Sequence, residues 1–368
     1  MNTQFNKYES TVSSFPNPFL KWEKTASLNV GLDFSFLNDA IKGTVSYYYK
    51  KTKDAFLNKT VSEINGVTNY VVNKGTLENQ GWEFALNFVP FNPSGGTDSF
   101  RWSIDPQIGQ VLNKLIDKAI NNQDKVVRDE VKYSDYLSGD VEIPGRPLDS
   151  FFSYKFKGLD PTDGRPMFYD VDLENKAKFE SMDKEEVYQY VMDYSGCRVP
   201  TLQGGISNKL SYKRCVLAFN LTYSLGSKIR LLKLYPNVNG SYGTIAPQPH
   251  ENARREFLKR WQKPGDENYT NIPGVLSGQD FQSTTTPWWS GYSYSFADNI
   301  WSMYDYSDAR VVSGNYLKLS SVSFRYLFSD KILKALHLKS AYFELTGTNL
   351  FTISAKELKG QDLSLIHI

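Results

Sequence analysis

The chain has 368 residues, and its 42 basic and 40 acidic side chains leave a formal charge of +2, so nothing in the balance points to nucleic acid or another polyanion. Two cysteines and three histidines, scattered through the chain, cannot be assembled into a zinc or copper centre. Aromatic residues are in excess: 24 Tyr, 23 Phe and 7 Trp make up 15% of the chain, and Tyr and Trp suit the boundary between an apolar phase and water.

No run approaches the length of a transmembrane helix, and the negative mean hydropathy would by itself read as soluble. A β-barrel escapes that reading, because each strand shows lipid only every second residue. The start, MNTQFNKYES, has no basic segment followed by an apolar stretch, so no signal peptide is expected there.

In chain order, Val45, Tyr47 and Tyr49 alternate with Thr44, Ser46, Tyr48 and Lys50. In WEFALNFVPFNPSGGTDSFRWSID (82 to 105), Trp82, Phe84, Leu86 and Phe88 alternate with Glu83, Ala85 and Asn87. After the Asn-Pro-Ser-Gly-Gly turn, Phe100, Trp102 and Ile104 alternate with Arg101, Ser103 and Asp105, so the two strands form a hairpin. The segment FFSYKFKGLDP (151 to 161) is either a hairpin inside a long loop or a further strand. Leu217, Phe219, Leu221, Tyr223 and Leu225 alternate with small or polar residues, and so do Val322, Phe324, Tyr326 and Phe328, and Ala341, Phe343 and Leu345. Roughly eight to ten such strands are expected.

Connections at Asn38-Asp39, at Asn-Pro-Ser-Gly-Gly, at Tyr212-Lys213 and over Ser329 to Lys339 are short, the last with room for a helical turn. Those at about 51 to 75, 110 to 150 and 227 to 314 are long and polar. Tight turns at one end and long loops at the other are the layout of an outer-membrane barrel. In hydrocarbon every backbone N–H and C=O must be paired, so a closed barrel with lipid outside and water inside satisfies both strand faces. A soluble β-sandwich with one buried face produces the same alternation, and would bind glycans and transport nothing. A hairpin turning near Tyr212 and Lys213 places Cys215 beside about residue 210 and Cys197 on the order of 40 Å away along the partner strand, too far for a disulfide.

Six stretches resemble, in order, the C-terminal half of SusC/RagA-type TonB-dependent outer-membrane transporters: NPFLKWEKTASLNVGLDFSFLNDAIKGTVSYYYKKTKDAFL (17 to 57), NKGTLENQGWEFAL (73 to 86), GRPLDSFFSYKFKGLDPTDGRPMF (145 to 168), PTLQGGISNKLSYKRCVLAFNLTYSLG (200 to 226), RWQKPGDENYTNIPG (260 to 274) and DARVVSGNYLKLSSVSFRYLF with LTGTNLFT (308 to 352). The resemblance implies an all-β fold, part of a 22-stranded antiparallel transmembrane β-barrel. It also implies import of oligosaccharides or peptides, with no enzymatic chemistry, in Bacteroidetes-type bacteria. The partners it implies are a SusD-like surface lipoprotein over the mouth, the TonB complex acting through an N-terminal part absent here, and outer-membrane lipid. The family's plug and first strands are missing, so Met1 is expected to be internal and residues 1–362 to be a barrel portion with long extracellular loops. The ending LSLIHI is what CTGTCTCTTATACACATC encodes, a sequence resembling a library-preparation transposon end, so residues 363–368 are expected to be an adapter-derived tail.

In the loop PWWSGYSYSF, Trp288, Trp289, Tyr292 and Tyr294 offer flat aromatic faces to a sugar ring or a peptide side chain, or pack the loop on itself or against the lipoprotein. Glu83, Arg101, Asp105 and Arg325 are expected to line the lumen, or simply to be solvated strand faces. Asp170, Asp172 and Glu174 have the alternate spacing of a calcium loop, but Asn175 and Ser181 stand where an EF-hand needs Gly and Glu, so a solvated acidic loop is the better expectation. RREFLKR (254 to 260) reads as a short amphipathic helix docked on the loop body. GLDPTDG reads as a pair of turns, and no catalytic arrangement of His250, His337 or His367 can be assembled. No cofactor is expected.

Overall fold

The computed structural model describes residues 16–60, 69–73, 75–91, 99–117, 136, 141–169, 190–235, 253–275 and 300–358. Its body is one twisted antiparallel sheet of nine strands. Eight follow one another: β1 (Lys24–Phe36), β2 (Ile41–Lys53), β5 (Thr76–Phe91), β6 (Arg101–Gln110), β12 (Leu202–Tyr212), β13 (Cys215–Leu225), β16 (Tyr316–Leu327) and β17 (Tyr342–Ser354). The ninth, β7 (Leu112–Asp117), continues β6 past Val111 and pairs with the far half of β5. Beyond β2, the chain turns through the hairpin of β3 (Phe56–Thr60) and β4 (Asn69–Asn73) before returning as β5.

The register sorts the side chains into two faces. One cross-strand row reads Leu32, Val45, Phe84, Ile108, Gly204, Tyr223, Leu317, Ile353 across all eight strands. The next reads Asp33, Thr44, Ala85, Gln107, Gly205, Thr222, Lys318, Thr352. Period-two alternation thus becomes an apolar surface backed by a polar one. A sandwich would bury the apolar surface under a second sheet, and the described residues supply none. Leu32 is 66% exposed and Leu345 is 66% exposed on the outermost strands.

The tight turns all lie at one end. Leu37, Asn38 and Asp39 adopt positive φ between β1 and β2. Lys213 and Arg214 make a two-residue turn that sets Cys215 opposite Tyr212, not residue 210 as the sequence spacing suggested. The helical turn expected between β16 and β17 forms as α1 (Asp330–Ala335), with Ser329 capping it by accepting from the Ile332 N–H. Cys215 sits at this end and Cys197 at the opposite one; both thiols are free.

Every long connection leaves from the other end, and there the described loops fold into a lobe. FFSYKFKGLDP resolves into β8 (Ser150–Tyr154), paired with β11 (Met192–Cys197), and β9 (Phe156–Leu159), paired with β10 (Pro166–Phe168). It is therefore loop structure and not a spanning strand. Two short strands, β14 (Lys228–Arg230) and β15 (Val311–Ser313), pair beside it, and a helical turn, α2 (Ile300–Asp305), packs into the centre. Tyr154, Trp301 and Met303 are fully buried there with Tyr235, Phe257 and Tyr304 around them. The buried cluster of the described residues thus lies in the loops, while the sheet keeps its apolar side chains for an outside medium.

Candidate functional site

Two surfaces bear on function: the polar face of the sheet and the lobe over its loop end. Glu83, Arg101, Asp105 and Arg325 all stand on the polar face. Ser46 Oγ donates to Glu83 Oε2 at 3.4 Å, and Asp105 accepts from the Asn87 amide and from Ser103 Oγ at 3.3 Å. Arg101 and Arg325 fall in one row near the tight turns, linked in register through Ser211 and Val216. Arg325 Nη2 donates to Glu344 Oε2 at 2.9 Å and its guanidinium covers the Tyr342 ring at 4.7 Å. These are dispersed, solvated groups and not a converging constellation. Trp288, Trp289, Tyr292 and Tyr294, and likewise Asp170, Asp172, Glu174 and the tail 363–368, lie outside the described residues. Among the described residues no group of three or more His, Cys, Asp or Glu could hold a metal ion.

The lobe is tied together by charges that sequence inspection did not single out. Arg310 is 2% exposed and grips Glu256 through both guanidinium nitrogens, at 3.0 and 3.1 Å, while donating to the Leu232 carbonyl at 2.7 Å. Burial alone would weaken its hold on the proton, but Glu256, Tyr304 and Asp305 together more than offset this. Asp305, also 2% exposed, accepts the Leu234 and Tyr235 N–H groups at 2.7 and 2.8 Å, with Arg310 Nε 3.8 Å away. Burial pushes its carboxyl upward against the pull of those donors, and pushes the Tyr304 hydroxyl up to about 12. Three chain segments distant in sequence are joined at this point. Spacing could not have revealed the network, because Glu256 and Arg310 lie 54 positions apart.

RREFLKR docks on the lobe as expected, but as a 3-10 turn over Arg255–Lys259 that buries Phe257 and leaves Leu258 outside. GLDPTDG does form turns: Asp160 accepts the Thr162 N–H, and the Gly164 N–H closes on the Asp160 carbonyl. There two of the quoted motifs meet, since the Trp261 indole lies against Gly164 and Gly274, and the Gly274 N–H donates to the Gly164 carbonyl at 2.9 Å. Gly164 has φ +72°, and a Cβ there would lie 2.3 Å from the Trp261 ring. Gly164→Ala is expected to cost about 1–3 kcal/mol from overpacking, beyond the backbone strain. Faster protease cleavage of the lobe would register it, and unchanged cleavage would mean that Trp261 moves aside freely.

A sheet with one continuous apolar face, one polar face, tight turns at one end and a folded loop lobe at the other is an arc of a transmembrane β-barrel. Comparison with known proteins agrees. A family model described as TonB dependent receptor-like, beta-barrel, matches residues 2–175. TonB-dependent receptor P26 of Formosa agariphila is 28% identical over 371 residues, covering 95% of this chain and 32% of that protein. TonB-dependent receptor SusC of Bacteroides thetaiotaomicron is 30% identical over 224 residues, 58% of this chain and 20% of that protein. The solved RagAB peptide transporter superposes with a TM-score of 0.66 at 18% identity, over 95% of this chain and 34% of that one. The chain is similar to TonB-dependent receptors and spans about a third of the length of P26. Its relatives are receptors and transporters, not enzymes.

Proposed function

We propose that the chain is part of an outer-membrane active transporter that imports oligosaccharides or peptides. Substrate is captured between the loop lobe and a SusD-like surface lipoprotein, then admitted when the TonB complex moves a plug inside the barrel. The observation that carries this reading is the polarity of the fold: every long connection lies over one end of a sheet whose apolar face is uncovered. A lobe with its own packed core, standing at the mouth, is a rigid platform for a partner and a ligand. The solved RagAB structures are of a peptide importer, which keeps the peptide branch open beside the glycan one.

In this reading Glu83, Arg101, Asp105 and Arg325 face the lumen, and Trp288, Trp289, Tyr292 and Tyr294, in the sequence between Val275 and Ile300, contact ligand. The test compares cells carrying and lacking the complete gene for uptake of labelled oligosaccharide and labelled peptide pools, with and without a functional TonB. Energy-dependent uptake of one pool, lost with the gene, is the expected result; equal uptake of both pools by both strains would sink the proposal. Changing Trp288 and Trp289 together to Ala should weaken ligand binding about tenfold if two rings stack on it. Calorimetry on the complete transporter would measure this, with unchanged affinity counting against the aromatic site.

A further inference from the structure

Where the apolar face approaches the loop end, its character changes abruptly. Lys24 and Lys53 stand directly opposite each other on β1 and β2. In the next row Lys51 faces Glu78, and Lys114 faces Glu78 from the other side. All four lysines share the face of Leu28, Tyr49 and Trp82, not the polar face. Glu78 is engaged by Lys51 Nζ at 2.9 Å and by Tyr49 Oη at 2.8 Å. No carboxylate among the described residues pairs with Lys24 or Lys53, and both are exposed. Like charges placed directly across a strand pair repel, so the arrangement is unfavourable unless an anion sits between them.

The height of this cluster identifies the anion. The apolar residues of β1 run from Leu28 to Phe36. At ~3.3 Å per residue and a tilt of ~40° they span ~20 Å, close to the ~25 Å apolar band of such barrels. Lys24 lies about 13 Å further along the strand, at headgroup level. Tyr49 stands in the row of Leu28, and Tyr47 and Trp82 in the row of Val30, so the loop-side edge of the apolar band carries amphipathic rings, as at a membrane boundary. A cation cluster on the outside of the barrel, just above the apolar band, meets the phosphate groups of the surrounding lipid and no soluble ligand of the lumen.

We infer that Lys24, Lys53 and Lys114, with Lys51 held by Glu78, form a binding site on the barrel's outer wall for the phosphorylated headgroup of an outer-leaflet lipid. The inference rests on the outer-membrane reading above. In the test, the complete receptor in detergent and its Lys24→Gln/Lys53→Gln/Lys114→Gln variant are each mixed with diphosphoryl lipid A and with the same lipid stripped of phosphate. Native mass spectrometry counts the lipid retained, and heat-modifiable migration shows that the variant is folded. The wild type should retain the phosphorylated lipid about tenfold better than the variant, with the stripped lipid held alike by both. Equal retention of the phosphorylated lipid overturns the site. Displacement by inorganic phosphate as readily as by the lipid overturns the headgroup assignment. A receptor that stays dispersed without detergent would instead remove the membrane reading itself.

Discussion

Arg310→Met should open the loop lobe while leaving the sheet intact. The substitution keeps an apolar stem of similar length but removes the cation that Glu256 and Asp305 share. Asp305 then remains buried, still held by the Leu234 and Tyr235 N–H groups, while the half-buried Glu256 keeps the looser pairing with Arg254 at 3.7 Å. Breaking one member of a buried ion network costs about 3–5 kcal/mol, because the partner charges lose compensation that water cannot supply. That is a large part of what a lobe of this size has to lose. Its segments join the sheet only at the rim, and the strands pair through their own backbones, so the damage stays local. In the complete receptor, limited proteolysis should cleave within 226–315 much earlier than in wild type, with heat-modifiable migration unchanged. Adding Glu256→Leu should restore part of the resistance by removing one stranded charge. Identical cleavage of wild type and Arg310→Met would show that the network contributes nothing to the lobe.

The second prediction separates the two faces of one strand neighbourhood. Phe84→Arg puts a charge in the middle row of the apolar face, and an arginine facing lipid at mid-depth costs about 2–4 kcal/mol. Gln107→Arg puts the same charge in the adjacent row, on the polar face, beside a glycine on the next strand that leaves room for it. Little of the Phe84→Arg receptor should reach the folded, heat-modifiable form in the outer membrane, whereas Gln107→Arg should assemble nearly as wild type. Equal assembly of both would reverse the assignment of lipid and lumen faces.

How legible each feature was in the chain follows from the range of the interactions behind it. The strands were open to reading because alternation is local: Trp82, Phe84, Leu86 and Phe88 need only their own neighbours to declare a face. The turn at Asn38-Asp39 was visible for the same reason, since Asn and Asp tolerate positive φ, whereas the hairpin near Tyr212 carries no such residues and turned one residue later than its spacing suggested. Segment 151 to 161 stayed ambiguous, because a short aromatic run has the same pattern whether it crosses a membrane or lies buried in a loop. What separates the two is pairing: β8 finds β11, 42 positions away at Ser153 and Ser195, and not a strand of the main sheet.

The sequence by itself determined the strands, their two faces and the division into tight turns and long connections, because backbone sterics and period-two patterning act between residues that are neighbours along the chain. Only the tertiary structure decided that the long connections share one packed core, that Glu256, Asp305 and Arg310 meet inside it, that Trp261 settles against Gly164 and Gly274, and that Lys24 opposes Lys53. Those contacts join distant segments, and burial and charge compensation exist only once the fold has brought both partners out of water.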